Sequence, residues 1–440
     1  MRQSGGERRL AVQLGPADSI FPAILAEAWR KRGWEVAVVS SSPSSHWLPN
    51  DVPVTGAGAF RGDLDRVGRK LARRVLRRVE RVLVAAGRRR FRRITGKPEP
   101  AGWECRVIDT WAAGPALAKL ALSLSPSFVF AHDAAAYGPA LALCRGVPRI
   151  LFPWGSDIYN TPESWAGAAW IVTRAMRGAD LIVPSSQSAA DYIQIRFGVA
   201  PDKVRAISWG IDLAGIGRAE TARREALCAK WRIPGTAVVV QNCRKFWPHF
   251  GCFTILEAFL RIAAELPQCH FVLFGGVAAG DVREAAARIA QAGLSSRFTL
   301  IDRQLDLPEY LEMSSISDVY VSICPRGDAR SSSVLQLAGA GAAPVIGEDA
   351  EYRALTQLGF KARFVDPHSV DDLVAAIRHL VLRPELRREM AVQNDIYLRE
   401  HEDRDGQMDI LLSAIEELVA ARRGEQPACH MENRNRPTPL

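Results

Sequence analysis

The chain has 440 residues, of which 48% are hydrophobic and 24% charged, the proportions of a globular protein. That length suits two or three domains of ~150 residues each, and the absence of a run of about 18 apolar residues excludes a spanning helix from expectation. Eight cysteines show no Cys-x-x-Cys and no pairing with histidines, so structural zinc is not expected and a reducing compartment is inferred. Cys144, Cys243 and Cys252 lie in apolar segments, where a free thiol behaves as a small hydrophobe.

In chain order, strand and helix patterns alternate. A strand is expected at 10–14. A helix at 17–33 puts Phe21, Ile24, Leu25, Ala28 and Trp29 on one face and ends at Gly33, and the next strand is 36–40. After a basic stretch come helix 110–123, strand 128–131, helix 136–145, strand 149–152, helix 164–177, strand 181–183, helix 186–197 and strand 204–207. Residues 213–235 connect to a second series. This has strand 238–241, helix 252–265, strand 270–274, helix 280–292, strand 298–301, helix 308–315, strand 318–323, strand 344–346, and helices 350–358 and 369–381. Alternation of this kind predicts an α/β protein with doubly wound parallel sheets. Two such domains facing a cleft offer a favoured place for a ligand. The expected boundaries are 1–208 for the first domain and 209–398 for the second. A C-terminal helix at 399–423 is expected to pack back towards the first, followed by a disordered tail at 424–440.

Charge is concentrated in one place. Residues 61–100 carry 15 lysines and arginines against 4 acidic residues, a local balance of +11, so the remainder of a +9 chain sums to −2. Leu64, Val67, Leu71, Val75, Val79, Val82 and Ala86 share one helical face, with Arg69, Lys70, Arg73, Arg77 and Arg81 on the others. Two readings stand: an interfacial helix on an anionic membrane surface through 61–97, or a helix packed on its own domain with solvated arginines. Nucleic acid is not an expected partner, because Phe91 is the sole interleaved aromatic.

The stretch 325–347 carries the most chemistry. A polar loop ends in Ser331, Ser332 and Ser333, an apolar small-residue helix follows, and Pro344-Val345-Ile346 reads as a buried strand. A helix start gathers unpaired N–H groups and suits a phosphate. Asp328 on the loop and Gln336 on the helix would bring a carboxylate and an amide near the same anion, which fits a nucleotide sugar. Ordinary N-capping is the plain alternative for the serines.

Several motifs together resemble the retaining glycosyltransferases of family 4 (glycosyl transferases group 1), with the two-domain GT-B fold. The resemblance runs from about residue 10 to 420, apart from the basic insertion. Arg177-Gly178-Ala179-Asp180-Leu181-Ile182-Val183-Pro184-Ser185-Ser186 resembles the family's "ADxVIxxS" strand. Phe197-Gly198-Val199 with Pro201-Asp202-Lys203-Val204 resembles its "FGVPxxKV" turn, and Trp209-Gly210-Ile211-Asp212 its "NGVD" with Trp for Asn.

The resemblance implies a nucleotide sugar held mainly by the second domain. It places Arg244 on the donor diphosphate, where a fixed cation would neutralise the leaving group. His249 stands where a lysine is usual, and Lys245 is its possible substitute. The family's Glu-x7-Glu pair corresponds to Asp328, set to orient the sugar, and Gln336, set to hold the ribose. Asp302-Arg303 falls at the nucleobase contacts, so Arg303 is a candidate there. On the first domain, His132-Asp133 matches "H-[DE]" near the reacting sugar, with a core-edge histidine as the plain alternative. Trp154-Gly155-Ser156-Asp157 matches "HGSD". Asp157, and Ser19 in the segment replacing the family's glycine-rich loop, are acceptor-side candidates.

The expectation is therefore a cytoplasmic glycosyltransferase, peripheral to a membrane if the basic segment meets one. Asp328, His132 and Arg244 are its catalytic candidates, and no metal or other cofactor is expected. It would act on a glycan or lipid-linked acceptor, with retention, in cell-surface polysaccharide or glycolipid synthesis. The departures from motif keep two alternatives open: a degenerate binding or assembly subunit, and a nucleotide-sugar epimerase of the same fold.

Overall fold

The computed structural model describes residues 9–17, 19–41, 48, 51–56, 102–164, 167–244, 246–274, 279–303, 305–324 and 331–424. Asp328, Lys245, the 61–97 segment and residues 425–440 lie outside them. The chain divides into two compact units, one of residues 1–184, 190–207 and 408–440, the other of 185–189 and 208–407.

The first unit holds a six-stranded parallel sheet: β1 (Leu10–Leu14), β2 (Glu35–Ser40), β3 (Val54–Gly56), β4 (Phe128–His132), β5 (Arg149–Phe152) and β6 (Leu181–Ile182). The spatial order is β3-β2-β1-β4-β5-β6, so the chain reverses direction across the sheet between β1 and β4. Every residue of β1 and β4 is buried. Helices cover both sheet faces, which is why these strands read as continuous apolar runs. The helix Ile20–Lys31 starts on Ser19, whose side chain accepts from the Phe21 N–H, and sends Trp29 edge-on against Phe128 and Phe130, at 5.4 and 5.3 Å.

Two expected elements differ in kind, the expected helix 164–177 starts at Ala168, and β3 was not among the expected strands. The expected helix 136–145 is a five-residue π-helical turn, Asp133–Tyr137, followed by one α-turn, Gly138–Leu141. The expected strand 204–207 reduces to a single bridge between Ile182 and Val204. Arg205 and Ile207 donate to Ile182 and Pro184, but Pro184 has no N–H to return to the ladder.

The second unit repeats the plan with β7 (Val238–Asn242), β8 (Cys269–Phe274), β9 (Phe298–Ile301), β10 (Val319–Ser322), β11 (Ala343–Gly347) and β12 (Arg363–Val365). The order is β12-β11-β10-β7-β8-β9, all parallel. Alternate side chains feed opposite layers. Val240, Val319 and Val321 pack under the helices Cys252–Glu265 and Val370–Val381. Val239 and Val272 pack with Leu227 and Met313 on the other face. Asp306, Asp349 and Ser369 cap the helices that follow them.

Residues 384–423 form two helices, Pro384–His401 and Arg404–Arg423. Within the first unit, the second of these pairs Asp409 with Arg32 at 2.5 Å and Glu417 with Arg205 at 2.7 Å. Among the described residues no helix is long and apolar enough to cross a membrane.

Candidate functional site

The reversal point of the second sheet lies between β7 and β10, where the loops leaving the two strands diverge and leave a crevice. The β7–β10 ladder pairs Val240 with Val319 and Gln241 with Tyr320. Beyond it, the Asn242 side chain takes over and donates to the Val321 carbonyl at 2.8 Å. Past this stitch is a shallow concavity lined by Arg244, Ser322, Cys324, Ser331, Glu348 and Tyr352 among others. Two predicted residues, Arg244 and Ser331, thus meet there.

Arg244 is steadied by its own loop. Its guanidinium carbon sits 4.0 Å from the Phe250 ring centroid, a cation–π contact. Phe250 in turn stacks on Trp247 at 6.2 Å and 5°. Ser331 precedes the helix Ser332–Gly339, whose first-turn N–H groups have no intrahelical acceptor. The Ser331 side chain makes no capping bond to this helix, so the N-capping reading of the serines is not what is seen. Its backbone N–H donates to the Tyr352 hydroxyl at 2.8 Å.

Beneath the 332–339 helix runs a chain of polar contacts. Ser331 Oγ lies 2.7 Å from Ser333 Oγ, which lies 2.8 Å from the Tyr320 hydroxyl. Cys243 Sγ donates to Tyr320 at 3.4 Å and lies 3.8 Å from the Tyr310 hydroxyl. Tyr310 then donates to Gln336 Oε1 at 2.9 Å. Burial pushes both phenols well above their ordinary range and raises the Cys243 thiol as well, so each member keeps its proton. The structure therefore links Ser331, Ser333 and Gln336 through three residues that sequence reasoning passed over. Tyr310 and Tyr320 had read only as positions on a helix and a strand, and Cys243 as an apolar filler. Ser332, also at the helix start, makes no side-chain hydrogen bond among the described residues.

Arg303 is not among the residues lining the concavity. Its two terminal nitrogens grip Glu309 at 2.6 Å each, one residue before Tyr310. Among the described residues no group of three His, Cys, Asp or Glu is placed to hold a metal ion.

The first sheet reverses between β1 and β4, and His132 closes β4 there. Of the two readings of His132, a residue near the reacting sugar or a core-edge histidine, the second describes its position: the ring is fully buried. Its Nε2 meets Gln13 Oε1 of β1 at 2.8 Å, and burial lowers its pKa to about 3. Gly15 covers it closely, since a Cβ at that position would stand 2.8 Å from His132 Cδ2.

Asp157 is likewise buried and accepts three backbone N–H groups, from Ala134 (2.6 Å), Trp154 (2.9 Å) and Gly155 (2.8 Å). It clasps the loop after β5 to the π-turn after β4. Asp133, at φ +66°, accepts from Ala135 and Ala136. Burial, and then the nearby Asp133 charge, push the Asp157 carboxyl up to about 8. Ser19, the other acceptor-side candidate, serves as the helix cap already described.

The His132 environment has a measurable consequence. With a folded pKa near 3 against 6.5 unfolded, the neutral imidazole's contribution is complete above pH 6.5 and is lost as pH falls from 6.5 towards 3. The loss between pH 7 and pH 5 is about 2 kcal/mol. Asp157, raised from 3.8 to about 8, acts in the opposite sense, costing stability as pH rises between those values. Comparing wild type with His132→Gln by denaturant unfolding isolates the first effect. The stability gap should shift by about 2 kcal/mol against the wild type between pH 7 and pH 5, and a gap independent of pH would show that the ring is not held neutral.

Residues 23–214 match the family model described as Glycosyltransferase Family 4, and residues 223–394 match Glycosyl transferases group 1. None of the curated proteins compared matches the chain. Among solved structures, it is similar to a sucrose-phosphate synthase from Thermosynechococcus elongatus, with TM-score 0.69 and 13% identity over 94% of this chain and 100% of that one. It is also similar to Anabaena HepE in complex with UDP and glucose, with TM-score 0.66 and 15% identity over 93% and 100%. A glycosyltransferase from Rickettsia africae gives 0.67 and 11% over 94% and 99%. At such identities the likeness is one of fold.

Proposed function

Since the chain belongs to the family 4, group 1 glycosyltransferases, we propose that it moves a sugar from a nucleotide sugar to a hydroxyl of a glycan or lipid-linked acceptor, with retention. The observation that carries this reading is the concavity at the reversal point of the second sheet, where Arg244 faces the start of the 332–339 helix. A guanidinium opposite a helix N-terminus suits a diphosphate. Neighbours crystallised with UDP and UDP-glucose add support for a nucleotide there.

In this reading Arg244, the Ser331 hydroxyl and the N–H groups at 332–333, with Lys245 as a further cation, take up the charge that grows on the diphosphate as its bond to the anomeric carbon breaks. The acceptor oxygen bonds to that carbon and its proton leaves with the diphosphate, and in this reading the cationic side chains take the charge-neutralising place that a metal ion would otherwise fill. Asp328 orients the sugar, Gln336 meets the ribose and Arg303 stands on the base side. His132, Asp157 and Ser19 belong to the acceptor side. His132 and Asp157 act there by shaping the loops after β4 and β5, because both are buried.

Titration of the full chain with UDP, GDP and ADP sugars tests the proposal. Heat or a thermal shift with one of them is the expected result, and silence from all three would refute it. A second reading, a binding subunit that has lost transfer, is favoured by Gln336 and His249 standing where glutamate and lysine are usual. It predicts nucleotide binding without release of nucleoside diphosphate in the presence of any acceptor.

The protein is further proposed to work in cell-surface polysaccharide or glycolipid synthesis at the cytoplasmic face of a membrane, which the 61–97 segment would meet. Flotation with anionic liposomes, and none with neutral ones, is the expected outcome. Equal, negligible flotation with both would remove the membrane from the proposal.

A further inference from the structure

At the reversal point of the first sheet, most of the described backbone N–H groups that follow β1 are already spent. Gly15 donates to the Val39 carbonyl at 3.2 Å, Ala17 to Ser40 Oγ at 3.1 Å and Ser19 to the Pro16 carbonyl at 3.1 Å. Phe21 donates to Ser19 Oγ at 3.4 Å, and Pro16 and Pro22 have no N–H to give. The start of the helix Ile20–Lys31, where an anion would ordinarily settle, is therefore largely closed to a phosphate. What stands beside it is aromatic. Phe21 lies 5.2 Å from Trp154 at 51°, and Trp154 stands edge-on to His132 at 6.0 Å. Phe21 and Trp154 are both half-buried. The Trp154 indole N–H is buried without a partner among the described residues, so the exposed surface of that ring is carbon.

Asp133 is the polar neighbour of this surface. The Asp157 carboxyl group accepts from the N–H groups of Ala134 and Trp154, so one side chain ties the turn that begins at Asp133 to the loop that carries Trp154. Asp133 has a left-handed backbone and is half-buried. Its Oδ1 accepts from Ala135 and Ala136 at 2.8 and 2.9 Å, and its Oδ2 has no hydrogen-bond partner among the described residues. An aromatic face beside such an oxygen suits a neutral sugar. The C–H groups of one sugar face pack on the π-surface, and a hydroxyl donates to the carboxylate. The same carboxylate opposes the charge of a phosphate. We propose that Trp154 and Asp133 bind the terminal sugar of the acceptor as an uncharged ring, and that this selects neutral sugars over phosphorylated ones. The proposal rests on the transfer reading above and names the class of its acceptor.

The experiment is saturation-transfer NMR on the full chain, loaded with whichever of UDP, GDP and ADP binds. The probes are the methyl glycosides of glucose, galactose, mannose and N-acetylglucosamine, and the 1- and 6-phosphates of the same sugars. Wild type, Trp154→Ala, Trp154→Phe and Asp133→Asn are compared, with thermal unfolding and nucleotide affinity of each as controls. At least one neutral glycoside should bind, and its phosphates should bind about 10-fold more weakly or worse. Trp154→Ala should weaken the glycoside about 3- to 10-fold, and Trp154→Phe should stay within about threefold of wild type. Asp133→Asn keeps an acceptor oxygen but no charge. It should weaken the glycoside about 3- to 10-fold and narrow the preference over the phosphates. The proposal is overturned if no neutral glycoside binds, if a phosphate binds as tightly as its glycoside, or if Asp133→Asn leaves the preference unchanged. A loss of nucleotide affinity in Trp154→Ala as large as its loss of glycoside affinity would mark a merely structural role and overturn it too. Each of those results leaves the transfer reading standing, whereas absence of binding to every nucleotide overturns both.

Discussion

Arg244→Ala is expected to lower the rate of nucleoside diphosphate release about 10²–10³-fold while leaving the fold intact. The magnitude is that of removing one preorganised donor from a site where negative charge builds in the transition state. Arg244 sits on a loop, half-exposed, so its loss opens no core cavity. The Phe250 contact at 4.0 Å makes a further distinction. Lysine restores charge but neither the planar fork nor the stacking, so Arg244→Lys should recover only part of the lost rate. Phe250→Leu should fall between wild type and Arg244→Ala. Steady-state release measured against nucleotide-sugar concentration decides the matter. If Arg244→Ala stays within about threefold of wild type, the diphosphate is not held there.

The largest expected effect on stability is at Gly210. This residue has φ +64°, and a Cβ on it would lie 2.3 Å from Arg404 Cα and 2.8 Å from Arg404 N. Two backbone segments of the second unit cross at this point. Ile211 N–H donates to the Glu402 carbonyl at 2.6 Å, and Arg404 N–H donates to Ile211 at 3.2 Å. A side chain cannot be accommodated by rotating a neighbour, since the obstructing atoms are main chain. Gly210→Ala should therefore cost about 2–5 kcal/mol, combining the left-handed backbone penalty with overpacking. Thermal unfolding reads this directly, and an unchanged midpoint would mean that the crossing is looser than the geometry states. The Gly in Trp209-Gly210-Ile211-Asp212 thus has a physical explanation independent of any ligand.

Much of the architecture was legible because parallel strands covered on both faces leave unbroken apolar runs. β1, β5, β9 and the helix Cys252–Glu265 lie where periodicity placed them. The misread elements depend on distant partners. The turn at Asp133–Tyr137 is tied by the Asp157 carboxyl group through the Ala134 N–H, an interaction no local window contains. The expected strand 204–207 fails because of Pro184, which lies on the neighbouring segment.

The site divides in the same way. The 331–333 helix start was readable from a loop–helix pattern, since backbone N–H groups at a helix start are a property of the local fold, and the family resemblance pointed to Arg244. Asp328 and Lys245 lie outside the described residues. The chain Ser331–Ser333–Tyr320–Cys243–Tyr310–Gln336 was not readable. Its members come from two loops, two helices and a strand, and Cys243 and Tyr310 stand 67 residues apart.

By itself the sequence determined most of the strands and helices and the two doubly wound halves, which follow from residue type at short spacing, and it carried motifs that resemble those of a glycosyltransferase family. Only the tertiary structure decided that His132 is a neutral, enclosed ring, that Arg303 is paired with Glu309, and that Gln336 has its oxygen bound by Tyr310. Proton affinity and hydrogen-bond direction depend on desolvation and on neighbours brought close through space, and those neighbours exist only once the sheets have formed.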